Sequence, residues 1–235
     1  MAEPTSPTMR WWGWGDPAHP QALPAHALDF LRETVGIAAR PRPPVALGQV
    51  HLAAPVLSEA TTAALREIVG AEGVRDDHAE RVVHAAGKGY PDLVRLRAGL
   101  PEGAPDAVVR PSDREQLRAV LDRCTQASVA VVPWGGGTSV VGGVAPLRGE
   151  HTAVIALDMD RMAGVLELDR VSRTVTVQAG IRAPALERAL GPSGFTLGHF
   201  PQSYEYVSLG GCAATRSAGQ ASSGYGRIEQ MVLGL

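Results

Sequence analysis

The chain has 235 residues, of which 45% are hydrophobic and 20% are charged, an ordinary balance for a soluble globular protein with a large core. Its formal net charge of -2 argues against a general nucleic-acid binder, which would carry a strong basic excess. The two cysteines, Cys124 and Cys212, provide no disulfide framework and favour a reducing compartment, so we expect a cytoplasmic protein.

The first hundred residues predict a mostly helical region. Apolar side chains recur at helical spacing in three places, and each place is followed by a glycine that would end a helix. The predicted helices are residues 24–35 before Gly36, a helix capped by Ser58 before Gly70, and a helix capped by Asp77 before Gly87. The proline-rich segment 41–49 is predicted to be an extended connector.

From residue 105 onward the sequence predicts alternating strands and helices. The predicted strands are residues 107–110, 129–132, 153–157 and 173–179, with a further strand beginning at residues 230–235. One helix would begin in a capping box formed by Ser112 and Glu115, and another has Pro184 near its start and Gly191 at its end. This alternation predicts an α+β fold.

A glycine-rich loop follows the strand that ends at Pro133. The segment 133–143, PWGGGTSVVGG, has five glycines in eleven positions. Consecutive glycines can turn neighbouring backbone N–H groups toward one point, and Thr138 and Ser139 add hydroxyl donors, as a phosphate site requires. A flexible turn is the simpler interpretation, although a turn needs only one or two glycines.

Three familiar glycine motifs fail on spacing. A P-loop would need a lysine where Gly143 stands, and the dinucleotide fingerprint would need a glycine where Val140 stands. The nucleophile elbow of serine hydrolases would need a glycine at Val141. These comparisons argue against an ATPase, a Rossmann dehydrogenase and a serine hydrolase.

Together with its flanks, the loop resembles the pyrophosphate loop of the FAD-binding (PCMH-type) domain in the vanillyl-alcohol oxidase family. Residues 104–120 resemble the entry strand and first helix of that domain, and residues 194–235 resemble its second flavin-contacting segment. Within the family the likeness is strongest to the alkyldihydroxyacetonephosphate synthases, on segments 9–15, 80–99 and 198–211.

The resemblance implies two regions: a mostly helical one over residues 1–103 and the FAD-binding domain over residues 104–235. In the family the flavin domain continues further and a substrate-binding cap domain follows. We therefore expect a domain incomplete at its C-terminus, with the cap domain absent. Because the acid and base residues of the family lie in that cap, we assign no catalytic residue here.

The resemblance also assigns cofactor-binding residues. They are Pro133, Trp134, Gly135, Gly136, Gly137, Thr138 and Ser139; Gln202, Ser203, Tyr204, Glu205, Tyr206, Val207 and Ser208; and Thr215, Arg216, Ser217 and Ala218. Relatives that hold flavin covalently often use a histidine in the first segment, which has none here, so we expect non-covalent FAD. The family commonly has Asp where this chain has Gln202.

Several further side chains have two interpretations each. Arg216 could bind a phosphate in bidentate fashion or be an ordinary surface arginine, and His199 could lie near the flavin ring or be a hydrogen-bonded structural residue. Trp11, Trp12 and Trp14 could anchor the N-terminal arm to the main body, to a second copy of the chain in a homodimer, or to a membrane surface. The other histidines have no ligand spacing, so no metal site is predicted.

Three functional hypotheses remain. The first is a flavoenzyme portion of the ether-lipid synthase type, acting on a small, lipid-like substrate by exchanging an acyl for an alkyl chain. The second is an FAD-dependent oxidase or dehydrogenase of a 2-hydroxy acid. The third is a truncated remnant without catalytic activity. The N-terminal tryptophan motif favours the first over the second, and the abrupt end at Leu235 favours the third.

Overall fold

Helices and strands are described over residues 9–20, 23–36 and 43–235 of this computed structural model. The helices are α1 (Ala25–Val35), α2 (Glu59–Val69), α3 (His78–Val83), α4 (Tyr90–Arg97), α5 (Arg114–Gln126), α6 (Ala183–Leu190), α7 (Leu209–Ala214), α8 (Ser222–Tyr225) and α9 (Ile228–Met231). The strands are β1 (Val74–Arg75), β2 (Ala107–Val109), β3 (Val129–Trp134), β4 (Ala153–Asp158), β5 (Val165–Asp169) and β6 (Thr174–Val177).

The main sheet has the strand order β1-β2-β4-β3. Strand β4 runs parallel to both β2 and β3, whereas β1 pairs antiparallel with β2. Every residue of β4 is buried, as its continuous apolar sequence predicts for an inner strand of a parallel sheet. Strands β5 and β6 form a separate antiparallel pair.

One hydrophobic core covers the main sheet. It combines Leu65 and Val69 of α2 with Val120 and Cys124 of α5 and with the strands, including Ile155 of β4. Residues from before and after position 103 therefore share this core, and the domain boundary that we place there stays a prediction.

The predicted helix starts are confirmed for α2 and α3. The Ser58 and Asp77 side chains accept hydrogen bonds from the backbone N–H groups of Thr61 and Glu80. The predicted end of α3 near Gly87 is wrong, because the helix stops at Val83 and a separate helix, α4, begins at Tyr90. The intervening residues leave the helix to contact the glycine loop.

Two details of the strand region are corrected by the structure. Strand β3 continues through Pro133 to Trp134, which is tolerated because β3 lies at the edge of the sheet. Residues 230–235 do not begin a strand. Instead, α9 ends at Met231, with the backbone N–H of Arg227 donating to the Gln230 side chain at the start of that helix.

The start of α5 also differs from the predicted capping box. The N-cap is Asp113, one residue later than predicted, and its carboxylate accepts from the backbone N–H of Gln116 at 2.8 Å. The Gln116 side chain accepts in return from the backbone N–H of Ser112 at 2.9 Å. The reciprocal pattern is present but is shifted by one residue, and Glu115 has no part in it.

This shift generates a stability prediction. Asp113→Ala should lower the free energy of unfolding by about 1 kcal/mol, because α5 then loses its capping carboxylate. The neighbouring Ser112→Ala is the matched control and should cost less, since its hydroxyl caps no backbone group. Urea denaturation of both variants measures the difference, and a larger loss for Ser112→Ala would contradict the assignment of Asp113 as the cap.

Candidate functional site at the carboxyl edge of the sheet

A cavity of about 520 Å³ lies where the parallel strands end. The carboxyl ends of parallel strands meet at one edge of a sheet, which is where ligands bind in open α/β sheets. Arg110 follows β2, Trp134 ends β3, and Asp158 ends β4, and all three line this cavity. The predicted loop residues Gly135 and Gly136 line it as well.

The N-terminal arm, residues 9–16, covers part of the cavity. Met9 and Trp11 are among its lining residues. The Lys88 ammonium group donates to the carbonyl oxygens of Arg10 at 2.8 Å and Trp11 at 3.0 Å, and the Arg97 guanidinium lies 4.7 Å from the centre of the Trp12 ring. The tryptophan segment is therefore anchored to the main body, one of the alternatives that the sequence left open.

The three consecutive glycines are required by close packing. A Cβ atom on Gly135 would overlap the Ser208 hydroxyl, and one on Gly136 would overlap the carbonyl oxygen of Tyr206. Gly137 has a φ of +64°, in the left-handed region that favours glycine. The first two predicted segments, residues 133–139 and 202–208, thus meet backbone to backbone.

The loop also leaves a row of hydrogen-bond donors unused. None of the backbone N–H groups of residues 135–138 has an acceptor within residues 9–20, 23–36 and 43–235. Buried or half-buried backbone donors normally have a partner, so this row is suited to an anion. The Ser139 hydroxyl already accepts from the backbone N–H of Gly143 at 2.9 Å, and the Ser139 carbonyl accepts from the Lys88 N–H at 2.6 Å.

The second predicted segment is only partly at the cavity. Glu205 and Tyr206 line it, and the buried Ser208 caps α7 by accepting from the backbone N–H of Gly211 at 3.3 Å. Val207 is also buried and packs in a small cluster with α7 and α9. Gln202, Ser203 and Tyr204 are not among the lining residues.

The third predicted segment, residues 215–218, lies away from this cavity, and none of its four residues lines it. Arg216 forms an ion pair of 3.1 Å with Glu229 and is mostly exposed. Ser217 contacts His199, whose Nε2 lies 3.1 Å from the serine hydroxyl, and burial lowers the pKa of this histidine. Flavin contacts of residues 215–218, including Ala218 beyond the turn, stay predictions.

Sequence reasoning missed a network of charged side chains in the cavity wall. His84 Nε2 lies 3.1 Å from Asp158, and the Arg110 guanidinium contacts Glu80 at 2.9 Å and both Asp158 and Asp160 at 3.3 Å. Burial disfavours the charge of Arg110, but Glu80 and the two aspartates outweigh it, so its pKa is raised. This network joins α3 to the ends of β2 and β4.

A sequence signal for part of this network exists. Asp158 is the last residue of the buried strand β4 and Asp160 follows two residues later, so both acidic side chains lie at the carboxyl edge of the sheet. Nothing comparable marks Glu80 and His84, which come from a helix more than seventy residues earlier. Within the described residues no group of three or more His, Cys, Asp or Glu side chains is arranged to hold a metal ion.

Two cations in the cavity lack an acidic partner. Within the part of the chain that the structure describes, neither Arg182 nor Lys88 forms an ion pair. The Arg182 guanidinium donates to the carbonyl of Tyr206 at 2.5 Å, and Lys88 is only 5% exposed. Burial lowers the pKa of both groups, and that of Lys88 falls to about 8.

Comparison with known proteins identifies the family. The model of a family described as FAD binding domain matches residues 105–235, more than half of the chain. The chain therefore belongs to the family of FAD-binding domains, and its cofactor is FAD. The free amides and the unpaired cations at the glycine loop fit the negatively charged pyrophosphate of that cofactor.

Several curated relatives are alkyldihydroxyacetonephosphate synthases. The Trypanosoma brucei brucei synthase is 34% identical over 249 residues, covering 97% of this chain and 41% of the relative. The Dictyostelium discoideum synthase is 39% identical over 160 residues, covering 68% of this chain and 26% of the relative. The chain thus spans less than half the length of these relatives.

Solved structures give the same result. An alkyldihydroxyacetonephosphate synthase superimposes with a TM-score of 0.85 at 31% identity, over 94% of this chain and 46% of the other. The fold expected from the sequence, an α+β PCMH-type FAD-binding domain after a mostly helical region, is thereby confirmed. Among the residues that the structure describes, no helix has the length and apolar character needed to cross a membrane.

The close packing of the glycine loop predicts how one added methyl group at Gly136 affects retention of FAD. Gly136→Ala should abolish retention of FAD, because its Cβ would force Tyr206 and the loop apart. Gly224→Ala is the matched control, since a Cβ there meets no atom within 4 Å. The flavin absorbance of the two purified variants measures the outcome, and equal retention would show that the loop tolerates this displacement.

The environment of Lys88 predicts a pH-dependent stability. Its pKa falls from 10.5 to about 8 when the chain folds. The unfolded chain therefore binds more protons between these values, and this group makes the apoprotein more stable as the pH rises through that window. Lys88→Met does not have the cost of burying a charged ammonium group. The free energy of unfolding of this variant minus that of the wild type should therefore decrease by about 3 kcal/mol between pH 7 and pH 10.5.

Two measurements check this prediction. Urea denaturation at both pH values gives the stability difference between Lys88→Met and the wild type. Because Lys88 is the only lysine of the chain, isotope labelling of lysine gives one side-chain signal whose titration midpoint can be read by NMR. A midpoint near 10.5 would contradict the buried environment of this group.

Proposed function

We propose that this chain is the flavin-binding portion of an ether-lipid synthase of the alkyldihydroxyacetonephosphate synthase type, which exchanges an acyl for an alkyl chain. The supporting observation is the extent of the likeness. The Trypanosoma synthase aligns with 97% of the chain, including the region before residue 105, which lies outside the family match. The Bacillus subtilis glycolate oxidase subunit GlcD, 29% identical, covers 73% of it.

The residues of the chain would bind and orient the cofactor. The amides of residues 135–138 would hold the pyrophosphate, while Ser208 and Tyr206 fix the shape of the loop through their contacts with the glycines. The N-terminal arm would exclude water from the cavity. When bound, FAD supplies a ring that can accept and return electrons, which is the chemistry that protein side chains lack.

Non-covalent attachment of FAD is part of the proposal. Residues 133–139 include no histidine. The imidazole of His84 lies beside Trp134, at 4.6 Å between ring centres, but both of its nitrogens are engaged, with Glu80 and with Asp158. Both cysteines are free and buried, and burial raises the pKa of Cys124 to about 11, so neither thiol is an activated nucleophile.

We also propose a cytoplasmic location, a small lipid-like substrate, and contact of the arm with a membrane surface or with a second copy of the chain. Reduced cysteines support the location. Trp14 is 39% exposed and supports the surface contact, since tryptophan favours such interfaces.

The first test is the visible absorption spectrum of the purified chain, before and after acid precipitation. We expect a flavin spectrum whose chromophore passes into the supernatant, because no side chain in the loop can tether it. Flavin that remains in the precipitate would contradict non-covalent binding. A protein that stays colourless with added FAD would favour the remnant hypothesis.

A second test separates the two enzymatic hypotheses. Acyl dihydroxyacetone phosphate and a labelled fatty alcohol are supplied to the protein, and transfer of label into the product together with release of fatty acid is measured. Anaerobic bleaching of the flavin by lactate or glycolate is measured in parallel. In a protein that carries this chain together with the substrate-binding cap domain, exchange without bleaching is the expected result, whereas bleaching without exchange would support a 2-hydroxy-acid dehydrogenase.

A further inference from the structure

The two cations that lack acidic partners line the same cavity and belong to residues that contact different positions of the glycine loop. The Arg182 guanidinium is beside Gly136, because a Cβ built on that glycine would lie 2.9 Å from its terminal nitrogen. The backbone N–H of Lys88 donates to the Ser139 carbonyl at 2.6 Å. Of the four unused amides, those of residues 136–138 lie along the chain between these two contacts.

Arg182 is held in place without being neutralised. Its guanidinium donates to the Tyr206 carbonyl, and Asp158 and Asp160 act on it only from beyond ion-pair distance. Those two aspartates instead contact Arg110, which also binds Glu80. Asp158 and Asp160 are thus engaged by another arginine, and the charge of Arg182 remains available to a ligand.

Lys88 also lacks an acidic partner among the described residues, and it is more deeply buried than Arg182. Its ammonium group donates to two neutral carbonyl oxygens, those of Arg10 and Trp11, which leaves one N–H for a further acceptor. Gly87 before it packs against the Ser139 carbonyl, where a Cβ would overlap. This contact fixes the backbone of Lys88 to the loop, and burial of an unpaired ammonium is costly unless an anion compensates it.

We propose that Arg182 and Lys88, which contact the glycine loop at Gly136 and Ser139, form an anion clamp that binds the pyrophosphate of FAD in the cavity. The proposal rests on the assignment of FAD as the cofactor. It adds a positioning role for Lys88, which joins the bound anion to the N-terminal arm through the carbonyls of Arg10 and Trp11. The phosphate group of a substrate shares this chemistry, and the test separates the two sources.

The test compares a flavin that carries the pyrophosphate with one that does not. Binding of FAD and of riboflavin to the apoprotein is measured by fluorescence for the wild type, Arg182→Gln and Lys88→Gln. Glutamine at position 88 keeps donors for the arm carbonyls but removes the charge. Each variant should weaken FAD roughly ten- to a hundredfold and leave riboflavin unchanged, as expected when a charged hydrogen bond to the ligand is lost.

Control variants separate the loss of the proposed contacts from general effects of net charge and folding. Arg118→Gln also removes one positive charge, but from an exposed side chain of α5 that pairs with Asp122, and FAD binding should be unchanged. Lys88→Arg restores the charge and should recover part of the affinity. Because Lys88 is the only lysine, its NMR signal should also move when FAD is added and stay in place with riboflavin.

The outcomes are distinct. A wild-type chain that binds neither flavin would contradict the assignment of FAD itself. Unchanged FAD affinity in both variants, or equal losses for FAD and riboflavin, would overturn the clamp while leaving FAD as the cofactor. A shift of the Lys88 NMR signal on addition of glycerol phosphate but not of FAD would also overturn the clamp, because the bound anion would then be a phosphate of the substrate.

Discussion

The structure depends on one contact, the packing of the glycine loop between two other backbone segments. Tyr206 and Ser208 press on Gly135 and Gly136 from one side, and Gly87 meets the carbonyl of Ser139 from the other. Side chains at these glycines would push the three segments apart. The contact therefore joins the region after α6, the segment between α3 and α4 and the end of β3, which are far apart in the chain.

This contact also explains why the loop can bind an anion. Packing on both sides fixes the backbone, so the loop does not have to be ordered when a ligand binds, which would cost conformational entropy. The fixed loop keeps the N–H groups of residues 135–138 free of acceptors in the described chain. At the same time the pairing of Arg110 with Glu80, Asp158 and Asp160 removes those carboxylates from competition for Arg182. Rigidity and separation of charges thus act together.

The sequence predicted local features of the fold more successfully than the side chains that line the cavity. Caps such as Ser58 and Asp77, the buried strand β4 and the glycine loop are local signals, because the physical cause lies within a few residues. The charged network was not predictable, since His84 and Asp158 become neighbours only through the packing of α3 on the sheet. The continuation of β3 through Pro133 was missed for a related reason: an edge position in the sheet cannot be recognised from one strand alone.

Residues before position 105 form part of the cavity wall. Met9, Trp11 and Glu80 line the cavity together with the ends of the strands, and Lys88 contacts both the arm and the loop. The family match covers residues 105–235 alone, so these contributions come from residues outside that match but within the alignment with the Trypanosoma brucei brucei synthase. A cofactor bound by the matched domain would then be covered by a wall that residues outside this domain supply. Because water access and the charge at the loop both depend on that wall, it can adapt one flavin fold to different chemistry without changing the glycine loop.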